Sequence, residues 1–137
     1  MLNKNAADLR RAAERADRRA RGGSVIGRIR LLLLDASPDV LVVNINGVGD
    51  AAMPDVLKRW YSLREELATF AEGDSVDVRA AARELTVVIE NMLNRLGGVL
   101  FDQKMHTGSG PELLRASREH YADARALVDK LGDLVRE

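Results

Sequence analysis

Apolar residues recur at helical spacing in four stretches of the chain, and the clearest stretch lies just past its centre. Val78, Leu85, Met92 and Val99 repeat every seven residues, with Ala82, Ile89 and Leu96 at the complementary heptad positions. Such a seam predicts a long helix packed on another helix at a shallow angle. Asp74 or Ser75 is placed to cap it. Gly97-Gly98 falls inside it and predicts a kink or a restart before Val99-Leu100-Phe101. The run Thr107-Gly108-Ser109-Gly110 ends it.

The flanking stretches read similarly. Pro54-Asp55 is expected to open a helix, with Val56, Trp60, Leu63, Leu67 and Phe70 as its buried stripe and Gly73 as its stop. Pro111-Glu112 opens the last helix. One row there is Leu113, His120, Leu127 and Leu134, and a second is Leu114, Tyr121, Val128 and Val135. Ser117, Ala124 and Leu131 lie between them. A face this wide can touch two neighbours at once. The short connections predict antiparallel neighbours, so residues 54–137 should form an antiparallel three-helix unit.

At the N-terminus, Leu2, Ala6, Leu9, Ala13, Ala16 and Ala20 alternate in steps of four and three. Asn3 or Asn5 can cap this helix, and Gly22-Gly23 is expected to stop it at Arg21. Its stripe is small, so it is expected to bury little area against the rest of the fold. The segment 24–53 is ambiguous. Ser24 can cap a run through Ile26, Ile29 and Leu31–Leu34. Ser37-Pro38-Asp39 reads as a helix start and Asn46-Gly47 as a stop, giving a short helix over Val40–Asn46. The β-branched run Val40–Ile45 also reads as a β-hairpin. Pro-Asp-Val-Leu occurs at 38–41 and again at 54–57, which reads as recurrent capping chemistry rather than a domain repeat. The expected fold is therefore all-α: one domain over 1–137, an antiparallel bundle of four long helices with short elements at 24–47.

Composition narrows the chemistry. The 137 residues hold 46% apolar and 31% charged side chains, few aromatics and no cysteine. Disulfides, thiolate metal sites and cysteine nucleophiles are excluded, and the chain is compatible with the cytoplasm. No stretch reaches the roughly 18 apolar residues of a membrane span, and no apolar core follows the charges of the first twenty residues, so neither a membrane segment nor a signal peptide is expected.

The formal charge of zero conceals a polarity. Residues 1–30 carry nine basic and three acidic residues, net +6, whereas residues 31–137 carry twelve and eighteen, net −6. Of the 21 cations, seventeen are arginine, the residue suited to forked contacts with carboxylate or phosphate. Arg11, Arg15, Arg18 and Arg19, continued by Arg28 and Arg30, form a cationic ridge. Asp8 can reach Lys4 or Arg11, Glu14 can pair with Arg10 and Arg18, and Asp17 with Arg21. The ridge suits an acidic protein surface or a phosphate backbone. No aromatic interleaves it, as single-strand or RNA binding would favour.

Other candidates are thinner. Gly47-Val48-Gly49-Asp50-Ala51-Ala52 matches a G-x-G-x-x-A turn, but Pro54 places the helix start too late and no further strands follow. Asn44, Asn46, Gly49 and Asp55 echo a calcium loop with one carboxylate, too little charge for the ion. His120 with Asp123 resembles a base and its orienter, without a nucleophile; His120 is expected as a core histidine and His106 as a helix-end residue. Trp60 and Tyr61, about 100° apart on one helix, are candidate interface anchors. No catalytic, cofactor or metal-ligating residue and no small-molecule substrate is expected. The sequence favours a non-enzymatic interaction module, a homo-oligomer subunit or protein partner, over a nucleic-acid-associated regulator or packaging protein.

Overall fold

A computed structural model describes residues 2–42 and 48–136, with side chains for 5–42 and 51–136. Four long helices and one short one account for nearly all of them: α1 (Leu2–Asp35), α2 (Pro38–Leu41), α3 (Val48–Glu72), α4 (Val76–Met105) and α5 (Gly110–Arg136). The long helices form an up-down-up-down ring. Each packs on its neighbours in the order α1, α3, α4, α5 and back to α1, most extensively between α4 and α5.

The α4 seam explains the centre of this bundle. All seven heptad residues from Val78 to Val99 are buried. Ser75 caps the helix by accepting the Val78 N–H at 3.2 Å. On α5 the middle row is the most deeply buried, at Ser117, Ala124 and Leu131. Small residues there, together with Gly110, let the α4 and α5 axes approach closely. Ser117 meets its polar obligation within the helix, donating to the Leu113 carbonyl at 2.8 Å. The row Leu113, His120, Leu127 and Leu134 is half-buried, the other row passes from half-buried Leu114 and Tyr121 to buried Val128 and Val135, and α5 packs on both α4 and α1.

Several boundaries differ from expectation, each for a packing reason. Gly22-Gly23 does not stop α1, and Ser24 caps nothing: the helix runs unbroken for 34 residues. A stop of this kind needs a left-handed residue, and among the described glycines only Gly108 has positive φ. Val25, Ile26, Ile29, Leu32 and Leu33 instead carry the helix on through a continuous buried face. Pro54 lies inside α3 rather than at its start. Its missing N–H removes one hydrogen bond near the beginning of the helix, and Met53, Val56 and Trp60 pack on either side of the gap. Gly97-Gly98 neither ends nor restarts α4. Gly98 is a contact position, since a Cβ there would stand 2.9 Å from Leu113 Cδ1.

Between the end of α1 and residue 42 the structure has one short helix, α2, starting at Pro38 with Leu41 and Val42 buried. The Gln103 amide donates to the Val42 carbonyl at 2.8 Å and ties this corner to α4. No strand occurs among the described residues. The remainder of the expected short helix or hairpin, with the Asn46-Gly47 stop, lies outside them.

The largest departure is at the N-terminus. The bundle begins at Gly22. From residue 8 to Arg21 every α1 side chain is exposed, and Leu9 is 71% exposed. The stripe Ala6, Leu9, Ala13, Ala16 and Ala20 thus faces solvent instead of a core. Twenty residues of helix, about 30 Å, extend past the bundle end formed by the α3–α4 loop and the C-terminus of α5.

Candidate interaction site

The arm is helical by composition and local pairing. Alanine and arginine are strong helix formers. Arg11 pairs with Asp8 at 2.9 Å and Arg21 with Asp17 at 3.0 Å. Glu14 pairs with neither Arg10 nor Arg18 among the described residues, and Arg15 and Arg19 likewise carry no ion pair there. Arg18 reaches the end of α3, its Nη2 3.8 Å from where a Gly73 Cβ would sit. A cation there complements the negative end of the α3 dipole.

The expected ridge therefore divides at the root of the arm. Arg11, Arg15 and Arg19 project on the free helix, and Arg18, though exposed, leans onto the end of α3. Arg28 and Arg30 bind the chain's own acidic body. Arg28 grips Glu66 with both guanidinium nitrogens, at 2.7 and 2.9 Å, and that hydrogen bond raises its pKa above the ordinary arginine value. Arg30 donates to Asp129 on α5 at 3.2 Å. Farther along, Asp35 accepts from Arg59 at 2.7 Å and Asp39 from Arg118 at 2.9 Å. Such exposed pairs add little stability, but they fix the register of α1 against α3 and α5 and tie α2 to α5. Glu66 and Asp129 carry no local sequence signal, being 38 and 99 residues from their partners.

Two grooves flank α3. One, of about 540 Å³, lies at the arm's root between α1 and α3 and is polar, with Arg18, Arg21 and Arg28 facing Glu65 and Glu66. The other, of about 530 Å³, lies between α3 and α4 on the side away from α1. Leu67, Ala68, Ala71, Ala82 and Val87 give it an apolar lining, with Arg64, Glu65 and Glu72 on the α3 rim and Arg79 and Arg83 on the α4 rim. Val87 is an exposed large apolar residue. The sequence does hold a trace of this surface: Ala68 and Ala71 flank the α3 stripe at helical spacing. Their small size reads as filler until α4 is set beside them.

The two aromatic candidates part company. Trp60 is 1% exposed and belongs to the core, so it offers no anchor to an outside partner. Tyr61 is exposed, with the Arg64 guanidinium 5.1 Å from its ring centre. Arg64 in turn donates to Glu90 at 2.7 Å, which raises its pKa. His106 is the C-cap of α4 in the left-handed conformation, φ 54°. His120 is half-buried and shares no hydrogen bond with Asp123 among the described residues. Gly49 and Asp55 lie in α3, and Asn44, Asn46 and Gly47 lie outside the described residues. No group of three metal-ligating side chains and no helix long and apolar enough to cross a membrane occurs among the described residues.

One carboxylate is plainly architectural. Asp102 accepts from the Thr107 hydroxyl at 2.6 Å and the Gly108 N–H at 2.7 Å, and a Cβ on Gly110 would collide with its other oxygen. These hydrogen bonds, the Thr107 hydroxyl first, hold its pKa below the usual 3.8. A depressed acid contributes stability that is present above its unfolded value and is lost as pH falls through its folded value. Asp102→Ala is therefore expected to lower the melting temperature at neutral pH. The gap to wild type should narrow below about pH 4, and a gap independent of pH in thermal melts would contradict this role.

No family model matches the chain, and no curated protein or solved structure is similar to it.

Proposed function

We propose that this chain is a non-enzymatic helical interaction module that works in the cytoplasm as a subunit of a homo-oligomer or larger assembly. One observation carries the reading: α1 runs unbroken out of the bundle, so that its apolar stripe and the ridge Arg11, Arg15, Arg18 and Arg19 are exposed together. An isolated helix of this length is marginal in water. A partner that covers the stripe supplies the packing the chain itself withholds. Light scattering on the full chain at micromolar concentration is expected to give a mass above the monomer, and a strict monomer throughout would overturn the reading.

A second reading has its own support. The projecting arm holds Arg15 and Arg19 away from the acidic body, which lessens the like-charge obstacle to a phosphate backbone. A gel-shift titration with duplex DNA and with RNA tests it. Binding that falls steeply with added salt favours this second reading, and no shift even at low salt discards it.

A further inference from the structure

We propose that the α1 arm of one copy lies in the α3–α4 groove of a second copy, and reciprocally, so that two chains exchange arms. This rests on the oligomer reading above and names its contact. The groove cannot receive its own arm. α1 neighbours α3 and α5, the groove opens on the far side of α3, and an arm continuous with the buried half of α1 cannot turn back without breaking at Gly22.

The surfaces agree in size and charge. The arm offers Ala6, Leu9, Ala13, Ala16 and Ala20; the groove offers Ala68, Ala71 and Ala82, with Leu67 and Val87 beside them. Small residues on both sides let helix axes approach to about 8 Å. Arg15 and Arg19 lie on one side of the arm's stripe; on the other, Glu14 and Asp17 stand among Arg10 and Arg21, with Asp17 paired to Arg21. The groove meets the first side with Glu65 and Glu72 on the α3 rim; Arg64 shares that rim but is held by Glu90, and Arg79 and Arg83 stand on the α4 rim. Neither Glu65 nor Glu72 has an ion pair among the described residues. Arm against arm fits less well, because residues 2–21 carry seven basic and three acidic side chains, +4 on each copy. The groove spans residues 64–72 and 79–87, about 12 Å of each helix, so it seats the part of each arm around Ala13, Ala16 and Ala20 and makes a contact of the small, transient class.

The test uses the full chain and sedimentation equilibrium. Ala13→Glu on the arm and Ala68→Glu in the groove replace exposed residues, so the fold should persist, with thermal melts as the control. Each is expected to weaken dimerisation at least about tenfold. Arg19→Glu and Glu72→Arg should each weaken it too, and the double variant should recover much of the loss. If the wild-type dimer responds to Ala13→Glu but not to Ala68→Glu, the arm docks elsewhere: the exchange is wrong and the oligomer reading stands. Indifference to both has the same meaning. A wild-type monomer at all concentrations removes both.

Discussion

Trp60→Ala is expected to lower the unfolding free energy by about 3–5 kcal/mol, the usual cost of emptying a large aromatic site in a core. Against a total of about 5–15 kcal/mol for an ordinary domain, that change removes a large share of the stability and, at the low end of the range, brings the chain close to half-unfolding. The reason is position. Trp60 is the largest fully buried side chain, set on α3 between α1 and α4, in a core otherwise made of aliphatic residues with few atoms to spare. The stiff bundle has no obvious means of closing over the gap. The indole N–H adds a second handle, because it is buried without a hydrogen-bond partner. An orphaned donor costs about 1–3 kcal/mol, so Trp60→Phe removes that penalty while it shrinks the ring. The two effects oppose each other, and the expected net loss is no more than about 1 kcal/mol. Urea unfolding followed by far-UV circular dichroism measures both variants on one scale. A Phe variant as damaged as the Ala variant would contradict this account, since phenylalanine keeps most of the ring volume and has no donor to orphan.

The bundle was readable where periodicity is long. The α4 seam and the three rows of α5 each repeat over more than two turns, and every seam residue is buried as its spacing requires. Boundaries were less readable, because glycine and proline punctuate a helix only where packing does not override them. At Gly22-Gly23, Pro54 and Gly97-Gly98 the tertiary packing of the flanking apolar residues outweighs a local cost of about 1 kcal/mol per glycine. Pro38 and Ser75 behaved as read, since no strong apolar face crosses them.

The charge polarity was also legible, but its division was not. Spacing within a helix finds the Asp8–Arg11 and Asp17–Arg21 pairs. It cannot find Glu66 or Asp129, which meet Arg28 and Arg30 only through the fold. Nor does an alanine stripe say whether it is buried. Ala124 and Ala13 are equal in sequence terms, yet one lies at the centre of the α4–α5 contact and the other on a free helix. What separates them is whether a neighbouring helix is long enough to run alongside, which is a property of the whole assembly of lengths. The α3–α4 groove follows from the same pairing and so could not be drawn from either helix alone.

Gly22→Ala and Gly23→Ala are expected to move stability in opposite directions, although the residues are adjacent in one helix. A Cβ at Gly23 meets nothing within 4 Å. Alanine there should therefore gain about 0.5–1 kcal/mol from the lower conformational freedom of the unfolded chain and better helix propensity. A Cβ at Gly22 would stand 2.6 Å from Phe70 Cζ and 2.8 Å from Val135 Cγ1. It is wedged between α3 and α5 at the point where α1 leaves the bundle. The Phe70 ring is half-buried and can swing, but Val135 is branched and stiff at χ1. Overpacking of this kind costs about 1–3 kcal/mol, which exceeds the propensity gain, so Gly22→Ala should be destabilising by about 1 kcal/mol and Gly22→Val by more. The strain is relieved by moving α1 outward, which also redirects the arm. Gly22→Val is thus expected to weaken self-association beyond what its stability loss explains, while Gly23→Ala leaves association intact. Denaturation midpoints and sedimentation on the same three variants decide it. If both alanine variants stabilise the chain alike, α1 does not pass between Phe70 and Val135. The helix then breaks at the glycine pair, and the arm is hinged rather than rigid.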